Sequence, residues 1–299
     1  MDFELCKEGD PVIDSSLSVK DSPAIVRNKT GRIVIKKRNK QQVVMSLTMG
    51  VLMFLTIYGF LTFDYKNINF WEAVSGTLEN VKVMFLEPRI SHFTLGEAIY
   101  QIGITLGLTA LATIIGAAVS IVLGLLAAKN LSSKKVADGI KFFVAFIRAV
   151  PTVLWVLIFA ISAGLGSVAA VIGMAFHTIA YLVKAYSEAF EEIDEGMIEA
   201  LRACGANWFQ IVTKAVLPST MTYLLSWTFL RFEINFSVAV AMGAAAGAGG
   251  IGFELFMASG FYFDIREVGF ITYAILIVAV ILEAISTRMK NRYFPNMSK

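Results

Sequence analysis

Long apolar stretches are the feature of this sequence that most restricts what it can fold into. An α-helix needs about 20 consecutive apolar residues to cross a bilayer. Six largely apolar stretches approach or exceed this length, and they run over residues 43–63, 99–128, 142–163, 168–183, 219–246 and 268–285. Only 16% of the residues are charged, compared with roughly 25% in an average soluble domain. The sequence therefore predicts an all-α, polytopic membrane protein with six transmembrane helices.

The positions of Lys and Arg predict the orientation of these helices. Six crossings place both termini on the same side of the membrane. If that side is the cytoplasm, the inner segments carry 20 Lys and Arg residues and the outer segments carry four, as expected for the cytoplasmic membrane. We therefore expect a polar cytoplasmic segment at 1–42, a multi-pass transmembrane domain at 43–286 in contact with membrane lipid, and a cytoplasmic tail at 287–299.

Residues that commonly carry chemistry are scarce. The chain has two His and two Cys residues, and none of the motifs HExxH, CxxC or GxSxG occurs in it. The net charge of +3 comes from basic residues beside apolar stretches, which does not indicate nucleic acid binding. We predict no catalytic residue, no metal site and no nucleic-acid partner. His177 is expected to form a hydrogen bond inside the bundle, with a position along a transport pathway as the alternative.

Small residues recur at every fourth position in the second apolar stretch. They are Ala112, Gly116, Ser120 and Gly124. Small residues at this spacing let two helices approach closely in lipid. We interpret the pattern as packing within the bundle, and an interface between subunits is the alternative.

The inner segment 186–218 has the sequence of two short helices joined by a turn. Apolar residues lie at helical spacing in its first half, at Tyr186, Ala189, Phe190, Ile193 and Met197. Gly205 then predicts a helix end, and Asn207 predicts the cap of a second helix. The first helix is acidic, which argues against a position on a negatively charged membrane surface. We therefore predict an element that receives force from a soluble partner.

The spacing within this segment resembles a motif of permease subunits of ABC importers. That motif is Glu-Ala-Ala, three residues, Gly, nine residues, Ile, one residue and Leu-Pro. The matching residues are Glu199, Ala200, Leu201, Gly205, Ala215, Leu217 and Pro218. Leu201 and Ala215 depart from the motif but remain apolar. The resemblance implies that these residues form the loop that couples the permease to its ATPase.

Three further stretches are similar to the permease subunit of phosphonate importers, at 148–151, 231–235 and 247–255. The resemblance covers about residues 95–285. It implies a type I ABC importer permease fold, a second copy of the chain, a cytoplasmic ABC ATPase dimer and an extracytoplasmic phosphonate-binding protein. It also implies that ATP and Mg²⁺ bind to the partner ATPase, with no cofactor in this chain. Related phosphorus oxyanions such as phosphite, or another small solute, are alternative substrates.

Polar residues at membrane depth are the candidates for the substrate pathway: Arg148, Arg231, Glu233 and Asn235. Charged side chains in a bilayer usually face a cavity or a partner, and guanidinium groups can donate two parallel hydrogen bonds to an oxyanion. The alternatives are a structural pair between Arg231 and Glu233, and an Arg148 side chain that extends to the inner interface.

The glycine-rich run 243–252 is a candidate gate or tight turn near the outer face. It is not a phosphate-binding loop, because no Gly-Lys dipeptide occurs in the chain. The family resemblance implies that the run helps to gate the outer mouth. The residues concerned are Gly247, Gly249, Gly250 and Gly252.

Two other classes of membrane protein remain possible at this point. An ion-coupled secondary transporter is expected to contain internal repeats and carboxylates near the midplane, and here only Glu233 fits that description. A membrane-bound sensor or scaffold would need a sensory or output domain, which we do not expect in the 42-residue N-terminal segment or in the tail.

Overall fold

The structure is a computed structural model that describes residues 25–27, 33–35, 40–62 and 69–293, with side chains described in 40–62 and 69–288. The chain divides into two compact units, Met1–Phe70 and Trp71–Lys299. Within the predicted segment 1–42, the structure describes only residues 25–27, 33–35 and 40–42. Residues 294–299 of the predicted tail lie outside the described residues.

The first unit contains a β-hairpin and one long helix. Strands β1 (Ile25–Arg27) and β2 (Ile33–Ile35) pair antiparallel, with Val26 opposite Val34. The β-branched residues of these two three-residue strands favour an extended conformation. Helix α1 (Lys40–Thr62) has 23 residues, which confirms the first predicted span.

The second unit is helical throughout its described residues. Its helices are α2 (Phe70–Leu86), α3 (Leu95–Ala127), α4 (Lys134–Ala149), α5 (Thr152–Ala163), α6 (Ser167–Glu191), α7 (Glu195–Ala203), α8 (Trp208–Ile211), α9 (Leu217–Ala246), α10 (Ile251–Gly260) and α11 (Ile265–Tyr293). In the described part of the chain, five helical segments are long and apolar enough to span a membrane, and there are six if the bent pair α4–α5 is counted as one span. Helices α2 and α10 lie in segments that the sequence assigned to outer loops.

The third predicted span, 142–163, is wrong as a single helix. Helices α4 and α5 meet at an angle of 92°. Pro151 disfavours a helical conformation at Val150, which is extended with φ −96° and ψ 127°. The indole nitrogen of Trp155 donates a hydrogen bond to the carbonyl oxygen of Ile147 at 3.0 Å, so one carbonyl released by the break has a partner.

Small residues in α3 allow close contact with α6. A Cβ atom on Gly116 would lie 2.5 Å from the methyl carbon of Thr178. A Cβ atom on Gly124 would lie 3.0 Å from the Cβ atom of Tyr186. The interpretation of packing within the bundle is therefore confirmed for these positions.

The inner segment begins differently from the prediction. Tyr186, Ala189 and Phe190 belong to the last turns of α6 and do not start a separate helix. Helix α6 stops at Glu191, and Asp194 caps α7 by accepting a hydrogen bond from the amide of Gly196 at 2.9 Å. The apolar spacing continues across this break, which is why the sequence predicted one helix.

The second half of the segment runs without interruption into the next span. Asn207 and Gln210 form a reciprocal capping box at the start of α8, as the sequence predicts for Asn207. A π-helical turn, Val212–Val216, then joins α8 to α9, and Pro218 lies in the first turn of α9. The prediction of a separate second helix is therefore wrong, because α8 is the inner end of the spanning helix.

Candidate functional site

The turn at Gly205 connects α7 to α8 as the sequence predicts. Gly205 has φ +83°, a left-handed conformation that glycine adopts without steric cost. Its amide donates to the carbonyl of Arg202 at 2.9 Å, and the next amide, of Ala206, donates to that of Leu201 at 3.0 Å. The turn thus closes the end of α7 with two backbone hydrogen bonds.

Side chains fix this turn against the connection between α3 and α4. The indole nitrogen of Trp208 donates to the carbonyl of Leu131 at 2.9 Å, and Arg202 donates to the carbonyl of Asn130 at 3.2 Å. Within α7, the side chain of Ile198 is buried. A rigid attachment of this kind can transmit a displacement of the loop to the transmembrane helices.

The motif residues divide into exposed and buried sets. Glu199, Ala200, Gly205 and Pro218 are exposed, Leu201 and Leu217 are half-buried, and Ala215 is buried. Phe209, which the sequence did not single out, has 67% of its side chain exposed beside them. The exposed set offers a carboxylate and an aromatic ring to a partner, while Ala215 packs inside the bundle.

A buried polar cluster joins α3, α6 and α9. The amide nitrogen of Asn235 donates to the hydroxyl oxygens of Thr113 at 2.9 Å and Thr178 at 3.0 Å. The Nε of Arg231 donates to the same Thr178 hydroxyl at 3.3 Å. All four residues are buried, and Arg231 is 14 residues into α9, or about 21 Å along its axis. The cluster therefore lies deep within the spanning bundle.

Among the described residues, the guanidinium group of Arg231 has no ionic partner. Arg231 is only 3% exposed, and its Nη2 atom has no hydrogen-bond partner among the described residues. Its Cζ lies 5.0 Å from the centre of the Tyr181 ring, a distance at which a cation and an aromatic ring attract each other. No ion pair joins it to Glu233 within the described ranges, so the alternative of an Arg231–Glu233 pair is wrong here.

The structure brings three of the four pathway candidates together. The Cζ of Arg148 lies 5.7 Å from the centre of the same Tyr181 ring, so both arginines contact one tyrosine. Glu233 instead lines a separate groove beside Glu283. Sequence reasoning did not select Tyr181, Thr113 or Thr178 as pathway candidates. Uncharged hydroxyl and aromatic side chains are common in apolar stretches, and their contacts become evident only once the helices are packed.

His177 does not behave as the sequence predicts. Its Nδ1 atom is buried and has no hydrogen-bond partner in the described part of the chain. The residue precedes Thr178 and lies one turn before Tyr181 in α6. The hydrogen bond that the sequence predicts for His177 is therefore not made at Nδ1 within the described residues.

The glycine-rich run forms a tight turn between α9 and α10. Gly247, Gly249 and Gly250 have φ values of +61°, +79° and +75°. A Cβ on Gly252 would overlap the carbonyl oxygen of Val240, and one on Gly250 would overlap the hydroxyl oxygen of Thr105. Gly247 and Gly249 therefore allow the left-handed backbone of the turn, and Gly252 allows close contact between α10 and α9. Gly250 combines a left-handed backbone with close contact to Thr105 of α3.

A second polar cluster, which the sequence did not predict, lies where α11 begins. One carboxylate oxygen of Glu267 accepts hydrogen bonds from the amides of Ser91 and His92 at 3.1 and 2.8 Å, and the other lies 2.6 Å from the Nδ1 of His92. The Ser91 hydroxyl donates to Asp264 at 2.8 Å. Burial raises the pKa of Asp264, but hydrogen bonds from Ser91, Glu267 and Arg266 outweigh it, so the net pKa is below its ordinary value.

The ligand atoms of His92, Asp264 and Glu267 lie within 4.8 Å of one another, which is a spacing that suits a metal ion. The hydrogen bonds already account for the arrangement, since both carboxylate oxygens of Glu267 have partners. We interpret the cluster as a clamp that holds the segment before α3 against the first turn of α11.

Replacing Glu267 with alanine should lower the stability of the folded chain. The amides of Ser91 and His92 would lose an acceptor that is itself fully buried, and a hydrogen bond to a charged group contributes roughly 1.5–3 kcal/mol. Thermal unfolding in detergent should show a clear fall in melting temperature, with Glu267→Gln closer to wild type. Glu87→Ala is the control, since its ion pair with Arg266 at 2.8 Å is exposed and should contribute about 0–1 kcal/mol. Equal melting temperatures for Glu267→Ala and Glu87→Ala would contradict the clamp.

Comparison with solved structures identifies the fold. A chain in "Inward facing conformations of the MetNI methionine ABC transporter" superimposes with a TM-score of 0.61 and 20% identity, covering 68% of this chain and 99% of that one. A chain of the bacterial ABC transporter involved in import of the acidic polysaccharide alginate gives a TM-score of 0.56 and 15% identity, covering 87% and 99%. The chain thus has the fold of a type I ABC importer permease.

Curated relatives agree with this fold. The phosphate-import permease protein PhnE of Mycolicibacterium smegmatis is 33% identical over 190 residues, which are 63% of this chain and 35% of that protein. The phosphite transport system permease protein PtxC of Stutzerimonas stutzeri is 32% identical over 190 residues, or 63% of this chain and 68% of that one. The matched region therefore spans about a third of the first relative and two thirds of the second.

A family model settles the classification. Residues 120–299, which are more than half of the chain, match the model described as "Binding-protein-dependent transport system inner membrane component". The match includes the inner segment, the buried arginine and the glycine-rich run, and it agrees with the several helices that can span a membrane. The chain is a multi-pass cell-membrane protein, and it belongs to the family of inner-membrane components of binding-protein-dependent transport systems.

Proposed function

We propose that this chain is the transmembrane subunit of an ATP-driven importer that carries a phosphonate or a related phosphorus oxyanion. The observation that carries the proposal is the buried guanidinium of Arg231, which has a free donor and no carboxylate partner among the described residues. A charge at this depth is costly without a counter-charge. An anion that passes through the bundle supplies that counter-charge, and a guanidinium matches a phosphorus oxyanion in geometry.

The relatives named for phosphate and phosphite transport support the same substrate class. Arg148, Arg231 and Asn235 are the proposed pathway residues of this chain, with Tyr181 and Thr178 placing the two guanidinium groups. Glu233 is included in the pathway only if the helices rearrange, because it lies in a separate groove.

The remaining machinery is proposed to reside in partners. The family's description implies an extracytoplasmic binding protein, and the exposed residues of the 186–218 segment suit a cytoplasmic ABC ATPase dimer, which would bind ATP and Mg²⁺. We propose a second copy of this chain across the pathway and no cofactor in the chain itself. The proposed outer gate is the turn at Gly247–Gly252.

A second candidate substrate is a small zwitterion such as an amino acid. The probable D-methionine permease MetI of Pasteurella multocida is 26% identical over 189 residues, or 60% of this chain and 86% of that protein. A carboxylate would also satisfy Arg231. Uptake assays with both classes of substrate distinguish the two candidates.

Replacing Arg231 with glutamine should reduce uptake of phosphite or methylphosphonate by roughly tenfold or more, since a hydrogen bond to a charged group contributes about 1.5–3 kcal/mol. The assay is ATP-dependent uptake by the complex reconstituted in vesicles, with methionine as the competing substrate class. Lys135→Gln is the control, because Lys135 is exposed on α4 and far along the sequence from the cluster. Unchanged uptake by Arg231→Gln, with the complex intact, would remove Arg231 from the pathway.

A further inference from the structure

A basic groove lies between α4 and α6, outside the buried cluster of Arg231. Its volume is about 320 Å³. Its lining has three cations, one carboxylate and a hydroxyl at Lys141, Arg148, Lys184, Glu188 and Ser187, with Val144, Ala145 and Val183 as the apolar part. No residue of α9 contributes to it, and Arg148 is the one residue that it shares with the proposed pathway.

The cations of the groove are only partly neutralised. Lys141 pairs with Glu191 at 2.7 Å, and Lys184 pairs with Glu188 at 3.6 Å, with both of these latter side chains about half exposed. Exposed pairs of this kind are weak. Arg148 forms no ion pair in the described part of the chain. The groove therefore keeps an excess of positive charge around one free guanidinium.

The groove lies toward the cytoplasmic end of α6. Lys184 is seven residues before the inner end of α6, or about 10 Å along the helix. Arg148 connects the groove to the buried cluster, because its guanidinium and that of Arg231 both lie near the Tyr181 ring. Basic pockets between helices on this side of a membrane suit phosphate-bearing groups, because inner-leaflet head groups are anionic.

We propose that the Lys141–Arg148–Lys184 groove is a second binding site for a phosphate-like oxyanion. The guanidinium of Arg148 supplies paired donors, the two ammonium groups supply point charges, and the Ser187 side chain lies at the wall. The apolar residues Val144 and Val183 accommodate either the organic part of a phosphonate or the first carbons of a lipid chain. The bound oxyanion displaces the weak contact between Lys184 and Glu188.

Two sources can supply this oxyanion, and they differ in what they imply. A lipid phosphate would make the groove a lipid site that shares Arg148 with the proposed pathway. A free oxyanion would make it an inner station of the transport pathway, and this version rests on the function proposed above. The two sources are separated by measuring binding, with no transport step.

The experiment uses the full chain purified into nanodiscs. In one arm, discs contain phosphatidylcholine with a minor fraction of phosphatidylglycerol, and native mass spectrometry counts the retained anionic lipid. In the other arm, discs contain phosphatidylcholine alone, and ³¹P NMR measures binding of inorganic phosphate and methylphosphonate. Each arm compares wild type with Arg148→Gln, Lys184→Gln and the control Lys135→Gln, which removes an exposed charge from α4 outside the groove.

We expect Arg148→Gln and Lys184→Gln to weaken binding by roughly tenfold in one arm, with Lys135→Gln equal to wild type. The arm that responds identifies the source. If Arg148→Gln fails to fold, Lys184→Gln still tests the site, because Lys184 is exposed. Equal binding by wild type and both groove variants in both arms would overturn the proposal. Because no arm measures uptake, a failure here leaves the Arg231 test of the transport function unaffected.

Discussion

Replacing Gly205 with valine should nearly abolish transport while the chain remains in the membrane. Gly205 has φ +83°, and a side chain in this region costs roughly 1–2 kcal/mol, more for a β-branched residue. A Cβ at this position would meet nothing within 4 Å, so the effect comes from the backbone and not from crowding. The angle between α7 and α8 should change, and both the copurifying ATPase and ATP-dependent uptake should fall sharply.

The control is Gly205→Asn, because asparagine tolerates the left-handed conformation better than other non-glycine residues. It should retain much more transport than Gly205→Val at equal membrane levels. Glu199→Lys should lower ATPase association by a different route, since Glu199 is exposed and the change reverses its charge. Full transport by Gly205→Val would mean that the 186–218 segment is not the coupling element.

Apolar runs and capping residues made much of this fold predictable. The spans around α1, α3, α6, α9 and α11 follow from hydropathy, and the turn at Gly205 follows from a glycine between two amphipathic stretches. The bend at Val150–Pro151 was missed because residues on both sides are apolar, although proline already disfavours a helix there. Helix α10 was missed because it begins within a glycine-rich run, where sequence patterns favour a loop.

The candidate pathway site was predictable only in part, because its contacts depend on how the helices pack. A charged residue in an apolar stretch is conspicuous, so Arg148 and Arg231 could be selected from the sequence. Which charge pairs with which depends on helix rotation, and the rotation places Glu233 in another groove and Tyr181 beside both arginines. The helix contacts also place Thr113 and Thr178 within hydrogen-bonding distance of Asn235, which no linear spacing indicates.

Two substitutions in the glycine-rich run distinguish a role in close helix packing from a role as a flexible hinge. Gly252→Val should strongly reduce the amount of folded protein, because a Cβ at Gly252 would overlap the carbonyl oxygen of Val240 in α9. That obstacle is backbone, so it cannot rotate away as a side chain would. Overpacking usually costs about 1–3 kcal/mol and sometimes more. Thermal unfolding followed by fluorescence-detected gel filtration should show a lower melting temperature and more aggregate.

Gly247→Asn is the matched variant from the same run. Gly247 has φ +61°, where asparagine is tolerated, and a Cβ there would meet nothing within 4 Å. Its melting temperature should stay close to that of wild type. If the run served only as a flexible hinge, the two variants should be equally stable and differ from wild type only in uptake. A large difference in stability between them would instead mean that close contact between α9 and α10 fixes the outer end of the bundle, so that any gating there moves the two helices together.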